Sequence, residues 1–144
     1  MRALLDVNVL IALLDVDHVH HTASHAWLEA NIDAGWASCP LTQNGCIRIM
    51  SQPSYPGTLS AAAVAHRLAV ATRTPWHRFW PDGLSLLADD VLDWTTILSA
   101  RQVTDVYLLA LAVANEGCFV TFDRSVPIQA VPNARPEHLV LLCG

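Results

Sequence analysis

Three aspartates stand where their side chains can act together. Asp6 ends the apolar run Arg2 to Leu5, Asp123 ends the run Cys118 to Phe122, and Asp105 follows Thr104 at the start of the segment Asp105 to Asn115. If the two runs are parallel strands, both terminal acids face the edge at which open sheets bind ligands. Asp105 joins them when its helix leads back into the second strand. Carboxylates brought this close repel, and the repulsion is relieved by taking up a proton or by binding a cation. Hard oxygen ligands suit magnesium or manganese. Taken singly, each acid also has a plainer role: Asp105 as a helix cap, Asp6 as a helix start, Asp123 with Arg124 as a turn. Composition and spacing leave the metal site and these structural roles evenly balanced.

The elements that must position the acids are visible as an alternation of short apolar runs and helical periodicity. Residues Asn8 to Leu14 read as a helix stopped by Asp15 and Asp17. A second, amphipathic helix runs from Thr22 and ends before Gly35. Trp36 to Pro40 reads as a strand, Thr42 to Met50 as a helix, Ser51 to Gly57 as a breaker segment and Ser60 to Arg73 as an Ala-rich helix. Trp76 to Asp82 reads as an aromatic loop broken by proline, Leu84 to Leu87 as a strand and Asp93 to Ala100 as a helix. Thr104 is the expected N-cap of the helix to Asn115, with Gly117 as its stop, and Leu139 to Cys143 is a last strand. The alternation predicts one domain over residues 1–144, a three-layer α/β/α sandwich with a mainly parallel central sheet.

Composition narrows the chemistry. The chain has 144 residues, of which 53% are hydrophobic and 15% charged, and that balance supports a packed core. All 8 basic residues are Arg and none is Lys, which removes P-loop, receiver-domain and Schiff-base chemistry. A net charge of −5 argues against unselective grip on a nucleic-acid backbone, but not against a nuclease that uses a metal. No G-x-G-x-x-G is present, so a dinucleotide site has little support. The longest strongly apolar segment, Val106 to Ala114, falls far short of the ~20 residues that span a bilayer. Asp6 interrupts the N-terminus before a signal-peptide core can form, so the expected location is cytoplasmic. The cysteines Cys39, Cys46, Cys118 and Cys143 are read as buried, reduced thiols.

The blocks Leu4-Leu5-Asp6-Val7-Asn8-Val9-Leu10, Thr104-Asp105-Val106-Tyr107-Leu108-Leu109-Ala110 and Val120-Thr121-Phe122-Asp123-Arg124 resemble, in order, the three signature blocks of the PIN-domain family. The chain looks most like the VapC-type toxins of bacterial toxin–antitoxin pairs. Pro40-Leu41-Thr42-Gln43-Asn44-Gly45 with Arg48 resembles one subgroup of them. The resemblance implies an endoribonuclease that depends on Mg2+ or Mn2+, a homodimer, and a cognate antitoxin whose C-terminal segment occupies the active groove. Asp6, Asp105 and Asp123 match the family's metal-holding acids. Asn8, Thr121 and Ser125 would support them, with Gln43, Asn44, Arg48 and Arg124 as further site or RNA contacts. The family's additional Glu, early in the helix after the second strand, has no counterpart among Gln43, Asn44 and Gly45. That departure favours one firmly bound ion.

The missing Glu also sustains another reading, a PIN-like module that binds RNA or a protein with weak or no catalysis. In it, the apolar helices near Val9 to Leu14 and Trp27 to Ile32 would receive a partner helix. His18, His20, His21 and His25 lack a thiol or spaced acid to complete a zinc site and are read as loop-fixing or solvent-facing. Trp76, Phe79 and Trp80 are read as packing residues before base-stacking ones.

Overall fold

Successive residues of the N-terminal strand belong to different cores: Ala3 and Leu5 pack on one face of the sheet and Leu4 on the other. This is the expected consequence of a strand buried on both sides. The computed structural model describes residues 1–143. Five strands, β1 (Ala3–Leu5), β2 (Trp36–Ser38), β3 (His77–Phe79), β4 (Cys118–Thr121) and β5 (Leu139–Leu141), form one sheet in the order β3-β2-β1-β4-β5, and every neighbouring pair is parallel. Helices α1 (Val7–Leu14), α2 (His21–Asn31), α3 (Pro40–Met50) and α4 (Ala61–Thr72) cover the face of Ala3 and Leu5. Helix α5 (Gln102–Ala114) covers the other face together with the connections around it. The three layers and the parallel sheet are those expected from the alternation.

Helix positions follow local chemistry. Asp6 caps α1 by accepting from the Val7 amide at 2.7 Å, and Ser60 caps α4 by accepting from Ala63 at 3.1 Å. Pro40 occupies the first turn of α3, where its missing N–H costs nothing, so α3 begins before the expected Thr42. Gly45 lets α3 close on α1: a Cβ there would lie 2.7 Å from a Val7 methyl.

Five expectations are corrected. His77–Phe79 is an edge strand inside the expected loop; it is short, largely exposed and lacks an apolar run to announce it. Leu84 to Leu87 is not a strand, because Leu84 and Leu86 lean on the α5 core from irregular backbone. Asp93 to Ala100 contains only a 3-10 turn, Trp94–Thr96, whose start is held by Asp93 accepting from the Thr95 amide. Thr104 lies within the first turn of α5; the chain enters that helix through Gln102, whose side-chain oxygen accepts from the amides of Leu98 and Ser99 at 2.9 and 3.2 Å. Among the cysteines, Cys39, Cys46 and Cys118 are buried and free, while Cys143 is free and exposed.

Gly117 does follow α5, for a different reason than expected. The left-handed residue after the helix is Glu116, at φ 58°. Gly117 is needed because β4 starts against β1: a Cβ there would lie 2.5 Å from the Arg2 carbonyl oxygen and 2.7 Å from the Trp80 ring. Gly117→Ala should therefore destabilise the protein by about 2 kcal/mol or more. Glu116→Gly should stabilise it by up to about 1 kcal/mol by removing left-handed strain. Urea unfolding of the two variants beside the wild type reads both signs.

Candidate active site at the switch point of the sheet

The strand order reverses direction between β1 and β4, and in open α/β sheets the crevice beyond the carboxyl ends at such a point is where ligands bind. Asp6 follows β1 and Asp123 lies just beyond β4. The ladder continues past the last paired residues, with the Asp6 amide donating to the Val120 carbonyl at 2.9 Å. This sets Asp6 beside Thr121, whose hydroxyl donates to Asp6 Oδ2 at 2.6 Å. The same Thr121 oxygen accepts from the Asp123 amide at 3.0 Å and from the Asn8 side chain at 3.3 Å. The Asn8 carbonyl oxygen accepts in turn from the Phe122 amide at 3.4 Å. One fully buried hydroxyl thus links both strand ends.

Asp123 is braced from the other side. Its Oδ1 accepts from the Ser125 amide at 2.8 Å and the Ser125 hydroxyl at 2.6 Å. The Ser125 carbonyl accepts from the Gln102 amide at 3.3 Å, which ties this turn to the start of α5. Asp105 projects from the first turn of α5 into the same space and shares a hydrogen bond with Asp123.

The electrostatics follow from this crowding. Burial, then the negative charges of Asp6 and Asp123, push the Asp105 carboxyl up to about 7, opposed by Arg101. Burial, and more weakly Asp123, also raise Asp6 against the hydrogen bonds from Thr121 and Val7. Asp123 is held low by Ser125, then by Asp105 and Arg101. The arrangement is that of a proton lodged on Asp105 and donated to an ionised Asp123. Among the described residues the ion pair formed is Arg135 with Glu137, and it involves none of these acids. As the side chains stand, no three acid, imidazole or thiol groups among the described residues close tightly enough to enclose an ion. Asp6 spends its oxygens on Val7 and Thr121 while Asp105 leans on Asp123.

Of the residues singled out from sequence, Asp6, Asp105, Asp123, Asn8, Thr121 and Ser125 are brought together. Gln43 stands in the first turn of α3 and its amide donates to the Ser38 hydroxyl at 3.0 Å; Ser38 in turn is 2.8 Å from His77 Nε2. Burial, and more weakly the nearby Arg2, lower His77. Asn44 and Arg124 are exposed. Arg48 is exposed in the last turn of α3, about 12 Å along the axis from Pro40. Arg101, four residues before Asp105 and so on the same helical face, is the cation that acts on the acids. That spacing was present in the sequence, as was the Gln102 that anchors the turn; the Ser38–His77 pair is separated by 39 positions and had no local signal.

The histidines have other work. His21 and His25 contact the carbonyls of Ala12 and Leu13 at 2.7 and 3.2 Å, closing the C-terminal end of α1, and His20 stacks on Phe122 with ring centroids 4.6 Å apart.

Comparison with known proteins places this geometry. The chain is 54% identical over 142 residues to ribonuclease VapC44 of Mycobacterium tuberculosis, covering 99% of this chain and 100% of that relative. The chain belongs to the VapC ribonuclease family. VapC38 of the same organism is 44% identical over 143 residues, covering 97% of this chain and 99% of the relative. No protein-family model matches the chain. VapC architecture is evident in solved structures too. A chain of VapBC2 from Rickettsia felis, bound to a DNA fragment from its promoter, superposes with a TM-score of 0.61 at 13% identity over 98% of this chain and 97% of that one. VapC20 of M. tuberculosis, described as a sarcin-ricin loop cleaving toxin, gives 0.58 at 11% identity over 93% of this chain and 99% of that one. The PIN-domain, VapC-type resemblance read from three short blocks holds over nearly the full length.

The raised Asp105 carries a pH signature. A folded carboxyl near 7 and an unfolded one near 3.8 mean that stability is complete below pH 4 and is lost as pH rises through about 7. In metal-free buffer, Asp105→Asn should therefore melt higher than wild type at pH 8, and the two should converge by about pH 4. Because Asp105 is half-buried, solvent screening reduces the gain to on the order of 1–2 kcal/mol, or a few degrees in Tm. Calorimetry across that pH range checks the crossover.

Proposed function

We propose that this VapC-family chain is an endoribonuclease that depends on Mg2+ or Mn2+ and cleaves single-stranded or looped RNA as the toxin of a toxin–antitoxin pair. The observation that carries the reading is the gathering of Asp6, Asp105 and Asp123 at the switch-point edge without a paired cation. Their donor set fits a hard divalent ion: carboxylate oxygens, buried enough to be costly when ionised and raised by one another. When bound, such an ion supplies charge stabilisation at the phosphodiester and an acidified water for in-line attack.

The chain's own residues hold and orient. Asp6 and Asp123 are the primary ligands in this reading. Thr121, Asn8 and Ser125 fix their rotamers, so the two anionic ends of β1 and β4 cannot swing apart. Asp105, once ionised, would be a further ligand or would position water. Gln43 offers an amide where the family has an additional Glu; with one charge fewer, a single firmly held ion is expected. The products carry a 5′-phosphate and a 3′-hydroxyl. Arg101, Arg124 and, farther off, Arg48 are the cations available to flanking phosphates.

The partners in this reading are a cognate antitoxin protein, RNA and a second copy of the chain, in the cytoplasm. Exposed Val70, Trp76 and Phe79 leave apolar surface that a protein can cover. Among the described residues no helix is long and apolar enough to cross a membrane. Purified protein should cleave RNA with Mn2+ or Mg2+, stop in EDTA, and lose at least about 100-fold in rate on Asp6→Asn or Asp123→Asn. Binding of RNA or antitoxin that persists without any metal-dependent product would instead establish the binding-module reading.

A further inference from the structure

Charge is unevenly spread along the chain. All 13 acids lie outside residues 34–81, a stretch that holds Arg48, Arg67, Arg73 and Arg78, half of the 8 basic residues. All four of these arginines are exposed. A chain of net charge −5 thus keeps one acid-free, basic stretch, and it runs out along β3 at the open edge of the sheet. Asp82, the first acid after it, has a buried carboxylate oxygen and lies beside the Cys39 thiol.

Two aromatic side chains stand half-exposed at that edge. Trp76, in the turn before β3, is 45% exposed, and Phe79, the last residue of β3, is 49% exposed. Both lie on the α1–α4 side of the sheet. Trp76 lines a groove there with Leu10 and Trp36. His77, two residues before Phe79 and so on the same face, sets its ring against Trp36 with centroids 4.5 Å apart. Arg78 projects to the opposite face, and Arg73 ends α4 three residues before Trp76. The Arg2 guanidinium donates to the carbonyls of Trp36 and Trp76 at 3.1 and 2.6 Å, which ties the turn to the sheet. Fixed aromatic faces flanked by cations suit single-stranded nucleic acid, whose bases stack while its phosphates meet the charges.

Strand register connects this platform to the acids. Phe79 pairs with Ser38, and Ala37, one residue before Ser38, pairs with Leu4. Phe79 is therefore level with Leu5, the residue before Asp6, and two strand spacings, about 10 Å, away from it. Apolar area alone suits many occupants; charge and position select among them. A second copy related by a two-fold axis would bring the same arginines against one another. An acidic protein segment would satisfy the arginines but draws nothing from the alignment with the acid edge, whereas RNA engaged by the acids reaches Phe79 by crossing the end of β2.

We propose that Trp76 and Phe79 form a base-stacking platform for single-stranded RNA, with Arg73 and Arg78 taking phosphates of the strand that leaves the acid edge over β2. The proposal rests on the ribonuclease reading and adds to it a binding surface for RNA beyond the scissile bond.

The test measures the affinity of the full chain for fluorescein-labelled dodecauridylate in calcium, with the RNA checked to be recovered intact. Phe79→Leu and Trp76→Leu should each weaken binding at least about 5-fold, and Phe79→Tyr should retain the affinity that Phe79→Leu loses, since stacking needs a ring and not only apolar area. Arg73→Gln and Arg78→Gln should each make the fall of log affinity with log salt shallower by about 0.7. If the leucine variants fail to fold, the arginine variants, altered only at exposed side chains, decide through that slope. Wild-type affinity in folded leucine variants, a salt slope untouched by both arginine variants, or losses seen with polyglutamate of equal length and not with RNA would overturn the proposal. RNA binding that depends on these residues without cleavage in Mg2+ or Mn2+ leaves the platform standing and removes the ribonuclease reading; cleavage with binding indifferent to all the variants does the reverse.

Discussion

Repulsion among the carboxylates of Asp6, Asp105 and Asp123 sets the terms for the whole switch-point edge. Desolvation makes each charge costly, and each charge makes its neighbours costlier. The fold tolerates this through a small set of donors. Thr121, Val7 and Ser125 stabilise the ionised forms of Asp6 and Asp123, while Asp105 keeps a proton and leans on Asp123. A protein selected for stability alone would replace one of these acids by an amide. Retaining all three is intelligible if a divalent cation completes the site, which is the sense of the proposed function.

The supports are arranged so that sheet geometry and site geometry are the same problem. Thr121 is the last residue of β4 and the hydrogen-bonding hub of the acids, so the register between β1 and β4 decides where both carboxylates point. Gly117 permits that register by letting the start of β4 close on Arg2. Gly45 does the equivalent on the helical side, bringing α3 and Gln43 close to α1. The Gln43 amide is then held by Ser38 of β2, which is in turn in contact with His77 of β3.

Much of this was legible in the residues. Asp6, Asp105 and Asp123 were identifiable because strand ends and helix starts have local signatures and parallel topology brings them to one edge. The long α5 and the alternating apolar runs revealed the three layers for the same reason. What escaped was structure without a local apolar pattern: β3 is exposed and only three residues long, and the segment Leu84 to Ala100 carries leucines that pack from loops instead of from regular elements. Arg101 was passed over in favour of Arg124, which is adjacent to Asp123 in sequence; both are exposed, and the cation that acts on the acids is the one a helical turn from Asp105. The Ser38–Gln43–His77 chain depends on a cross-strand pairing that no spacing rule exposes.

That the three acids form one electrostatic unit can be read directly from the Asp105 carboxyl resonance in an NMR pH titration of metal-free protein. The account predicts a midpoint of about 7 that falls toward the ordinary aspartate range in Asp6→Asn and in Asp123→Asn. A midpoint near 4 that is indifferent to both substitutions would mean that the carboxylates do not share a site.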